Sequence, residues 1–300
     1  MPANQVANPM AKTLILEFTK MNGAGNDFIV LDNRFYAFSD EELAVLARSY
    51  CRRRFGIGAD GLLALAPARK PETHYRMRYF NADGSLGTMC GNGARCLARF
   101  AWMAGIRAMP LRFETDAGIY QAEVPDDPQA PVRLYLPPPG SYQPQPHLDT
   151  ALPDGIAAAA FIWTGTEHLV CWVPSVTDAP VATWGPRLRY DPAWQPQGVN
   201  VDFVEVVGEQ EGRSVLRVRT YEKGVEAETL ACGTGAVAAA LTAWRQGRIR
   251  RLPIDVHMPG GILTVGFRPE ADGEKELFLE GPAVPVFRGT VEVPVPLTPS

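Results

Sequence analysis

The sequence has no uninterrupted apolar run of the ~18 residues that a membrane-spanning helix requires. It has no excess of basic charge either, because 29 Lys and Arg residues stand against 33 Asp and Glu residues; nucleic acid is therefore not the expected partner. Residues 1–12 lack both the apolar centre of a secretory signal and the arginine-rich pattern of a transit peptide. We interpret 1–12 as a disordered tail and expect a cytoplasmic protein without membrane contact.

The sequence is also poor in the patterns that build disulfide frameworks and metal sites. Its five cysteines are odd in number and widely spaced, which favours free thiols in a reducing compartment. They form no C-x-x-C pair, and together with the four histidines they show no ligand spacing for a metal. We expect neither a metal nor a cofactor.

Two glycine-rich stretches stand out instead: "CGNGA" begins at Cys90 and "CGTGA" begins at Cys232. Each follows a strand-like run and leads into an apolar helical pattern. Each pattern ends at a glycine 15 residues after its cysteine, Gly105 and Gly247, as is typical of a helix C-terminus. The sequence therefore predicts two helices of equal length that each begin at a cysteine.

The two halves agree beyond these helices. Each helix is followed by a proline and a hairpin pattern, "LRFET" with "IYQAEV" and then "IDVHM" with "ILTVGF". Upstream, "GNDFIVL" resembles "GVNVDFVEV", which pairs Asn26 with Asn200. We infer an internal duplication. The predicted fold class is α/β (α+β), with two pseudo-symmetric domains and the active site in the cleft between them.

The domain boundaries follow from the positions of the repeats. We assign 13–136 to the N-terminal domain and 137–282 to the C-terminal domain, with the proline-rich stretch 124–146 as the crossing between them. The strand-like segment 283–297 has no counterpart after the first hairpin. We expect it to return and complete the N-terminal domain.

A cysteine at a helix N-terminus meets the positive end of the helix dipole and free backbone N–H groups. Both favour the thiolate, so we expect the pKa of Cys90 and Cys232 to be lowered. The same N–H groups can bind a carboxylate. Two such helix ends on opposite sides of a cleft would hold a ligand carboxylate and place one sulfur on each face of its α-carbon. One thiolate would then remove the α-proton while the opposite thiol returns a proton, without a cofactor.

The alternative interpretation is that both cysteines are buried structural thiols, because free cysteine packs as a small apolar residue. Their matching positions in the repeat argue against it. The remaining three, Cys51, Cys96 and Cys171, lack such a setting and are predicted to lie in the core.

The residues assembled so far resemble the diaminopimelate epimerase family. The resemblance rests on "KMNGAGNDFIVLDN", "GIGADGLL", "FNADGS", "CGNGARC", "VRTYEKGVEAETLACGTGA" and "GPAV", which span residue 12 to about 290. It implies two domains, each a β-sheet wrapped around a central helix. It also implies an isomerase of lysine and peptidoglycan-precursor biosynthesis that converts LL-2,6-diaminopimelate to the meso form without pyridoxal phosphate, through Cys90 and Cys232.

The resemblance carries over to other positions. His168 and Glu222 match polar groups that support the cysteines. The positions that match substrate contacts are Asn26, Asn81, Gly91, Asn92, Thr166, Asn200, Glu222, Lys223, Gly233 and Thr234. Three departures stand out: Asn22 replaces the usual histidine of K-M-H, "TEH" replaces N-P-H with Thr166 in place of asparagine, and Lys223 replaces the arginine of E-R-G. Lysine keeps the charge for a distal carboxylate but loses the bidentate fork.

Several alternatives stay open at this point. A racemase of the same fold acting on another amino acid, such as a histidine or proline derivative, would use the same thiol chemistry. From other classes come a dithiol redox protein, which usually carries its cysteines close together as C-x-x-C, and an amino-acid-binding protein, which would not need two thiols. The run "GIGADG" fits G-x-G-x-x-G, but a helix precedes it and a strand follows, the reverse of a dinucleotide site. The expected partners are a small amino-acid substrate and a second copy in a homodimer.

Overall fold

The computed structural model describes residues 12–271 and 273–297, so the predicted tail lies outside the described residues except for residue 12. The strands of the first half are β1 (Lys12–Gly23), β2 (Asn26–Leu31), β3 (Gly61–Ala66), β4 (Tyr75–Asn81), β5 (Leu86–Gly87), β6 (Leu111–Thr115), β7 (Gly118–Glu123), β8 (Val132–Tyr135) and β9 (Tyr142–Gln143). Those of the second half are β10 (Ala158–Trp163), β11 (Glu167–Trp172), β12 (Asn200–Gln210), β13 (Arg213–Glu222), β14 (Ala227–Thr229), β15 (Ile254–Met258), β16 (Gly261–Glu270), β17 (Gly273–Gly281) and β18 (Val284–Val295). The helices are α1 (Asn33–Tyr36), α2 (Asp40–Tyr50), α3 (Gly91–Met103), α4 (Val181–Arg189) and α5 (Gly233–Arg245), with a 3₁₀ turn at Pro192–Trp194.

Strand pairing follows the same order in the two halves, which confirms the predicted duplication. In the first half β1–β2 is antiparallel, β2–β3 parallel, β3–β4 antiparallel, β4–β6 parallel, and β6–β7 and β7–β8 antiparallel. In the second half β10–β11, β11–β12, β12–β13, β13–β15, β15–β16 and β16–β17 repeat that sequence of directions. The two halves therefore have one topology.

This topology corrects one sequence pairing. By strand order β2 corresponds to β11, and β3 corresponds to β12. Asn26 begins β2 and Asn200 begins β12, so the two asparagines occupy non-equivalent strands. The match of "GNDFIVL" to "GVNVDFVEV" therefore compares two different strands, whose shared apolar alternation is common to buried strands.

Each half wraps its strands around one helix, as the family resemblance implies. Buried residues of α3, among them Leu97 and Ala101, pack with strand residues of the first half into one apolar cluster. Buried residues of α5, among them Leu241, form the corresponding cluster of the second half. A helix surrounded by sheet on all sides must be apolar around its circumference, which explains why "AVAAALTA" carries small apolar residues on every face.

Three strand pairs join the halves. β18 returns to pair antiparallel with β1 over the whole of that strand, β8 pairs with β17, and β9 pairs with β10. The proline-rich stretch 124–146 therefore contributes β8 and β9 to the sheet, and Val132 and Leu134 are fully buried. No helix within residues 12–271 and 273–297 is long and apolar enough to cross a membrane.

Candidate active site

Both predicted helices begin at their cysteines. Cys90 is the N-cap of α3 and Cys232 is the N-cap of α5, each with extended backbone dihedral angles. The carbonyl group of each cysteine accepts the first helical hydrogen bond, from Ala94 N at 2.8 Å and Ala236 N at 2.9 Å. The sulfur atoms therefore lie where the first free N–H groups of each helix point. The Gly93 N–H group donates to Cys90 Sγ at 3.4 Å.

The two helix starts lie close to each other. A Cβ atom built on Gly233 would lie 3.0 Å from Leu279 Cδ2 and 3.7 Å from Asn92 Oδ1, and one on Gly91 would lie 3.7 Å from the same leucine atom. Leu279 thus packs against the first residue of both helices. The first turns of α3 and α5 therefore lie next to each other.

The thiol pKa values differ from the sequence prediction. Burial raises the pKa of Cys90, although the Gly93 N–H group and Arg95 act in the lowering direction. Burial raises the pKa of Cys232 well above its ordinary value, and Glu222 and Asp202 add to the rise. The predicted lowering of both pKa values is therefore wrong for this conformation. Removal of a thiolate from water outweighs the stabilisation by the helix N–H groups.

Glu222 is the acidic residue that acts on both cysteines. It lies at the C-terminal end of β13, and its negative charge raises the pKa of both Cys90 and Cys232. Burial raises the pKa of Glu222 itself, while the nearby His168 counteracts that rise. Glu222 therefore lies near both cysteines, and its supporting role stays a prediction.

His168 belongs to a fully buried polar chain. Its Nδ1 atom lies 2.7 Å from Asp202 Oδ2, and Thr220 Oγ1 donates to Asp202 Oδ1 at 2.7 Å. All three side chains are fully buried. The Nε2 atom of His168 is buried without a hydrogen-bond partner, so it can act on a group that enters the site. A Cβ atom on Gly235 would lie 2.5 Å from Asp202 Oδ1, so this chain passes directly under the start of α5.

On the N-terminal side, hydrogen bonds of Asn26 and Asn92 connect β2 to the start of α3. Asn92 Nδ2 donates to Asn26 Oδ1 at 2.6 Å, and Asn26 Nδ2 donates to Asp60 Oδ2 at 3.0 Å. Arg95 Nη2 donates to Asn92 Oδ1 at 2.7 Å. The structure therefore brings together two of the predicted contact residues. Asn81 lies at the end of β4, where it accepts from Tyr79 OH at 2.7 Å.

Two of the three residues that depart from the family pattern, Thr166 and Lys223, lie together on the C-terminal side, whereas Asn22 lies in β1. Lys223 Nζ forms an ion pair with Glu167 Oε2 at 2.5 Å, and Thr166 Oγ1 donates to the same oxygen at 3.1 Å. Asn200 links their backbones, because its Nδ2 donates to Glu167 O at 2.9 Å and its Oδ1 accepts from Lys223 N at 2.8 Å. Thr164 Oγ1 donates to Thr234 O at 2.9 Å, which holds this segment over the start of α5.

Sequence reasoning missed three residues of this region: Arg95, Glu167 and Asp202. Arg95 and Asp202 are fully buried inside apolar runs of a helix and a strand. A charged residue in such a run is the available signal, because charges are seldom buried without a specific partner. Glu167 is marked by its place in "TEH", between two residues that were predicted to belong to the site.

The other cysteines behave as predicted. Cys51, Cys96 and Cys171 are buried, and burial raises the pKa of Cys51 and Cys96 to about 12. Across the described part of the chain, no group of three or more His, Cys, Asp or Glu side chains is arranged to hold a metal ion. A surface cavity of about 850 Å³, bordered by Phe35 and Met103, lies away from both cysteines.

Comparison with known proteins links this arrangement to one family. The family model described as "Diaminopimelate epimerase" matches residues 18–139 and 160–286. The chain is 42% identical to a diaminopimelate epimerase of Chlorobaculum tepidum over 278 residues, which cover 90% of this chain and 99% of that protein. It is 39% identical to the diaminopimelate epimerase of Aquifex aeolicus, with 91% and 97% covered.

Solved structures share the fold at low sequence identity. A hydroxyproline epimerase from Agrobacterium vitis has a TM-score of 0.67 and 17% identity, with 96% of this chain and 95% of that chain covered. A phenazine biosynthesis protein of the PhzF family from Bacillus anthracis has a TM-score of 0.69 and 15% identity, with 93% and 100% covered. At these identities the likeness concerns the fold alone.

Proposed function

The chain belongs to the diaminopimelate epimerase family, and on that premise we propose that it converts LL-2,6-diaminopimelate to meso-diaminopimelate through Cys90 and Cys232. The isomerase serves lysine and peptidoglycan-precursor biosynthesis and needs no pyridoxal phosphate. The observation that carries the proposal is the pair of cysteine N-caps on facing helix starts, which share Leu279 as a neighbour.

In the proposed reaction one cysteine thiolate takes the α-proton from one face of the substrate. The opposite cysteine, as a thiol, gives its proton to the other face, so the α-carbon is inverted. The bonds balance, because one C–H bond breaks and one forms while one S–H bond forms and one breaks. Substrate binding supplies what the free site lacks: an ammonium group near the sulfur atoms, which favours thiolate over thiol.

The substrate carboxylate binds between the two helix starts. Backbone N–H groups of Gly91, Asn92, Gly233 and Thr234 are the donors, because the first N–H groups of a helix have no partner within it. Negative charge moves from the α-carbon into this carboxylate in the transition state. Fixed donors that face the developing charge stabilise it more than water does.

His168 and Glu222 complete the reacting end. Glu222 acts on both cysteines. Its carboxylate is therefore placed to accept hydrogen bonds from the substrate ammonium group. His168 Nε2 is a buried free nitrogen atom on the side of Cys232. The opposite end of diaminopimelate carries a second ammonium and carboxylate, for which Asn26, Asn81, Thr166, Asn200 and Lys223 are the proposed contacts.

A second candidate is a racemase of the same chemistry that acts on another amino acid. The Glu167–Lys223 ion pair supports this second candidate. Lys223 already has an anionic partner at the position where the family's arginine would bind a substrate carboxylate. The same experiment decides between the two candidates.

That experiment is proton NMR of the protein in D₂O with LL-diaminopimelate under reducing conditions. We expect deuterium to replace the α-proton while the meso isomer forms. Exchange with a different amino acid but not with diaminopimelate would establish the second candidate. No exchange with any amino acid would overturn the two-thiol reaction.

The matched variants are Cys90→Ser, Cys232→Ser and, in the same helix as Cys90, the control Cys96→Ala. Each serine variant should lower epimerisation by about 10²–10⁴-fold, the usual contribution of a general acid or base, and should still bind the substrate. Retained epimerisation in either serine variant would contradict the proposal. A redox or binding protein would show no α-proton exchange at all.

We propose a cytoplasmic homodimer as the working form. Five free cysteines suit a reducing compartment. β18 pairs with β1 on one side, and it exposes Val286 and Phe287 at 58% and 48%; exposed apolar groups on a sheet edge favour association. Light scattering coupled to gel filtration tests this, and a monomer mass at micromolar concentration would exclude the dimer.

A further inference from the structure

Arg95 is a cation buried without a carboxylate partner. Its side chain is fully buried in α3, and its Nη2 atom donates to Asn92 Oδ1 at 2.7 Å. Its Nη1 atom donates to Gly91 O at 3.4 Å, and its Nε atom has no hydrogen-bond partner. Within residues 12–271 and 273–297, no Asp or Glu carboxylate lies within ion-pair distance of this guanidinium group.

Such a group requires a negative charge nearby, because an uncompensated buried cation is strongly unfavourable. Burial lowers the pKa of Arg95 to about 10, while Cys96 and Cys90 act against that lowering. Arg95 is therefore still protonated at neutral pH. Cys96 is buried in the core, whereas Cys90 is partly exposed at the start of α3, so Cys90 is the nearby group that can become an anion when substrate binds.

The second half of the site has the opposite charge. Val237 stands five residues after Cys232, where Arg95 stands five residues after Cys90. The group beneath the start of α5 is Asp202, whose Oδ1 atom would lie 2.5 Å from a Cβ atom on Gly235. Glu222 acts on both cysteines, so the two helices differ in the buried Arg95 cation of α3 and the buried Asp202 carboxylate beneath α5.

We propose that Arg95 is a positioning residue that makes Cys90, and not Cys232 beside Asp202, the sulfur that ionises first. The inference rests on the proposed two-cysteine reaction, in which the substrate ammonium favours the thiolate. After one turnover the proton from the substrate resides on Cys90, and Cys232 has given its proton to the product. A further turnover in the same direction requires that Cys90 releases a proton and that Cys232 takes one up from water, and the charge of Arg95 favours the release from Cys90.

The experiment measures the protonation of each sulfur without substrate. Iodoacetamide alkylation rates at Cys90 and Cys232 are followed against pH by mass spectrometry of the peptides. The accessibility of each sulfur atom sets the size of its alkylation rate, whereas the pH at which that rate is half-maximal reports the formation of the thiolate. We expect the midpoint of Cys90 to lie below that of Cys232. Arg95→Met should raise the Cys90 midpoint by about one pH unit or more and leave Cys232 unchanged, and Arg95→Lys should restore it.

Three results would overturn the proposal. The first is a wild-type midpoint of Cys90 at or above that of Cys232, which decides the question even if Arg95→Met does not fold. The second is a folded Arg95→Met variant with an unchanged Cys90 midpoint. The third is an equal Cys90 midpoint in the Arg95→Lys and Arg95→Met variants, which would mean that Arg95 acts through its packing and not through its charge. A protein with the expected midpoints but no α-proton exchange in D₂O would contradict the proposed function and not the role of Arg95.

Discussion

At the scale of single residues, the ion pair between Glu167 and Lys223 is the feature with the clearest consequence for substrate choice. The lysine ammonium is 2.5 Å from the carboxylate, and Thr166 donates to the same oxygen. Burial opposes ionisation of Glu167, but the hydrogen bond from Lys223 more than compensates and lowers the pKa of Glu167. The pair is therefore ionised at neutral pH and presents one charge of each sign.

We predict that Glu167→Gln weakens recognition of a zwitterionic substrate end. The distal end of diaminopimelate carries an ammonium for Glu167 and a carboxylate for Lys223, whereas 2-aminopimelate carries the carboxylate alone. Loss of one charged hydrogen bond should raise KM for diaminopimelate by about 10-fold or more, with a smaller change for 2-aminopimelate. Steady-state kinetics with both substrates measures the difference.

The control variant is Glu274→Gln, which breaks the Arg245–Glu274 ion pair on another part of the chain. It should leave both KM values unchanged. Equal losses for the two substrates in Glu167→Gln would mean that Glu167 only orders the segment and does not read the distal ammonium.

At the scale of elements, α3 and α5 begin with the same glycine spacing but have different neighbours. A Cβ atom on Gly235 would meet Asp202 Oδ1 at 2.5 Å and Thr220 Oγ1 at 3.2 Å. A Cβ atom on the equivalent Gly93 would meet the flexible end of Leu63 at 3.1 Å. The second helix therefore fits its strand more tightly, at the point where the buried His168–Asp202 pair lies.

We predict that Gly235→Ala destabilises the protein by about 1–3 kcal/mol, the usual cost of overpacking, because the hydrogen-bonded Asp202 has no room to move. Gly93→Ala is the matched variant and should cost less, because Leu63 can change its rotamer. Urea unfolding of both variants gives the comparison. Equal losses would mean that Asp202 shifts freely, which would weaken the argument that it is fixed beneath α5.

The local sequence predicted those elements whose structure is determined by residues close together in the chain. Ser39 and Glu42 form a capping box at the start of α2, which the local pattern S-x-x-E predicts, and the two cysteine helices end where their glycines, with φ of +93° and +65°, follow. Helix α4 was not predicted, because Gly185 and Pro186 lie inside it and both disfavour helix. It forms because Val181 and Leu188 are buried in a separate apolar cluster.

The missing parts of the site depend on residues far apart in the chain. The pKa of a thiol at a helix start is set by local N–H groups and by burial, and only the first can be inferred from sequence. The pairing of Lys223 with Glu167, 56 positions away, likewise follows from the parallel pairing of β11 with β12 and the antiparallel pairing of β12 with β13, because Lys223 directly follows β13. The duplication predicted that a helix begins at each of the two cysteines, whereas the contact residues come from the family resemblance and stay predictions.

At the scale of the whole molecule, partly buried ion pairs make stability depend on pH. Burial opposes ionisation of Asp27, but hydrogen bonds from Arg53 and Lys20 outweigh it and lower the pKa of Asp27 from 3.8 to about 2. A lowered pKa in the folded state stabilises the protein above the unfolded value. That contribution is lost as the pH falls from about 4 to about 2.

We predict that Asp27→Asn lowers the free energy of unfolding at neutral pH by about 1–2 kcal/mol, a value reduced for the partly exposed Arg53. The difference from wild type should shrink between pH 4 and pH 2. Urea unfolding across this range measures it, with Asp126→Asn as the control, because the Asp126 side chain is 87% exposed. If the difference in unfolding free energy between Asp27→Asn and the wild type stays constant with pH, the lost stability comes from packing and not from the ion pairs.

The three strand pairs that join the two halves predict that the halves unfold together. β18 joins β1, β8 joins β17 and β9 joins β10, so neither half keeps all its strand pairs if the other unfolds. Leu97→Ala in the first core should cost about 2–5 kcal/mol, and Leu241→Ala in the second is its counterpart; both leucines are fully buried.

Tryptophan fluorescence distinguishes joint from separate unfolding. Of the six tryptophans, only Trp102 lies in the first half. If the halves are one cooperative unit, Leu97→Ala shifts the fluorescence transition by as much as it shifts the transition seen by circular dichroism. If the fluorescence transition stays at its wild-type midpoint while circular dichroism splits into two steps, the halves are independent. The site between them would then be free to open without loss of either core, and closure around the substrate would have to be supplied by binding.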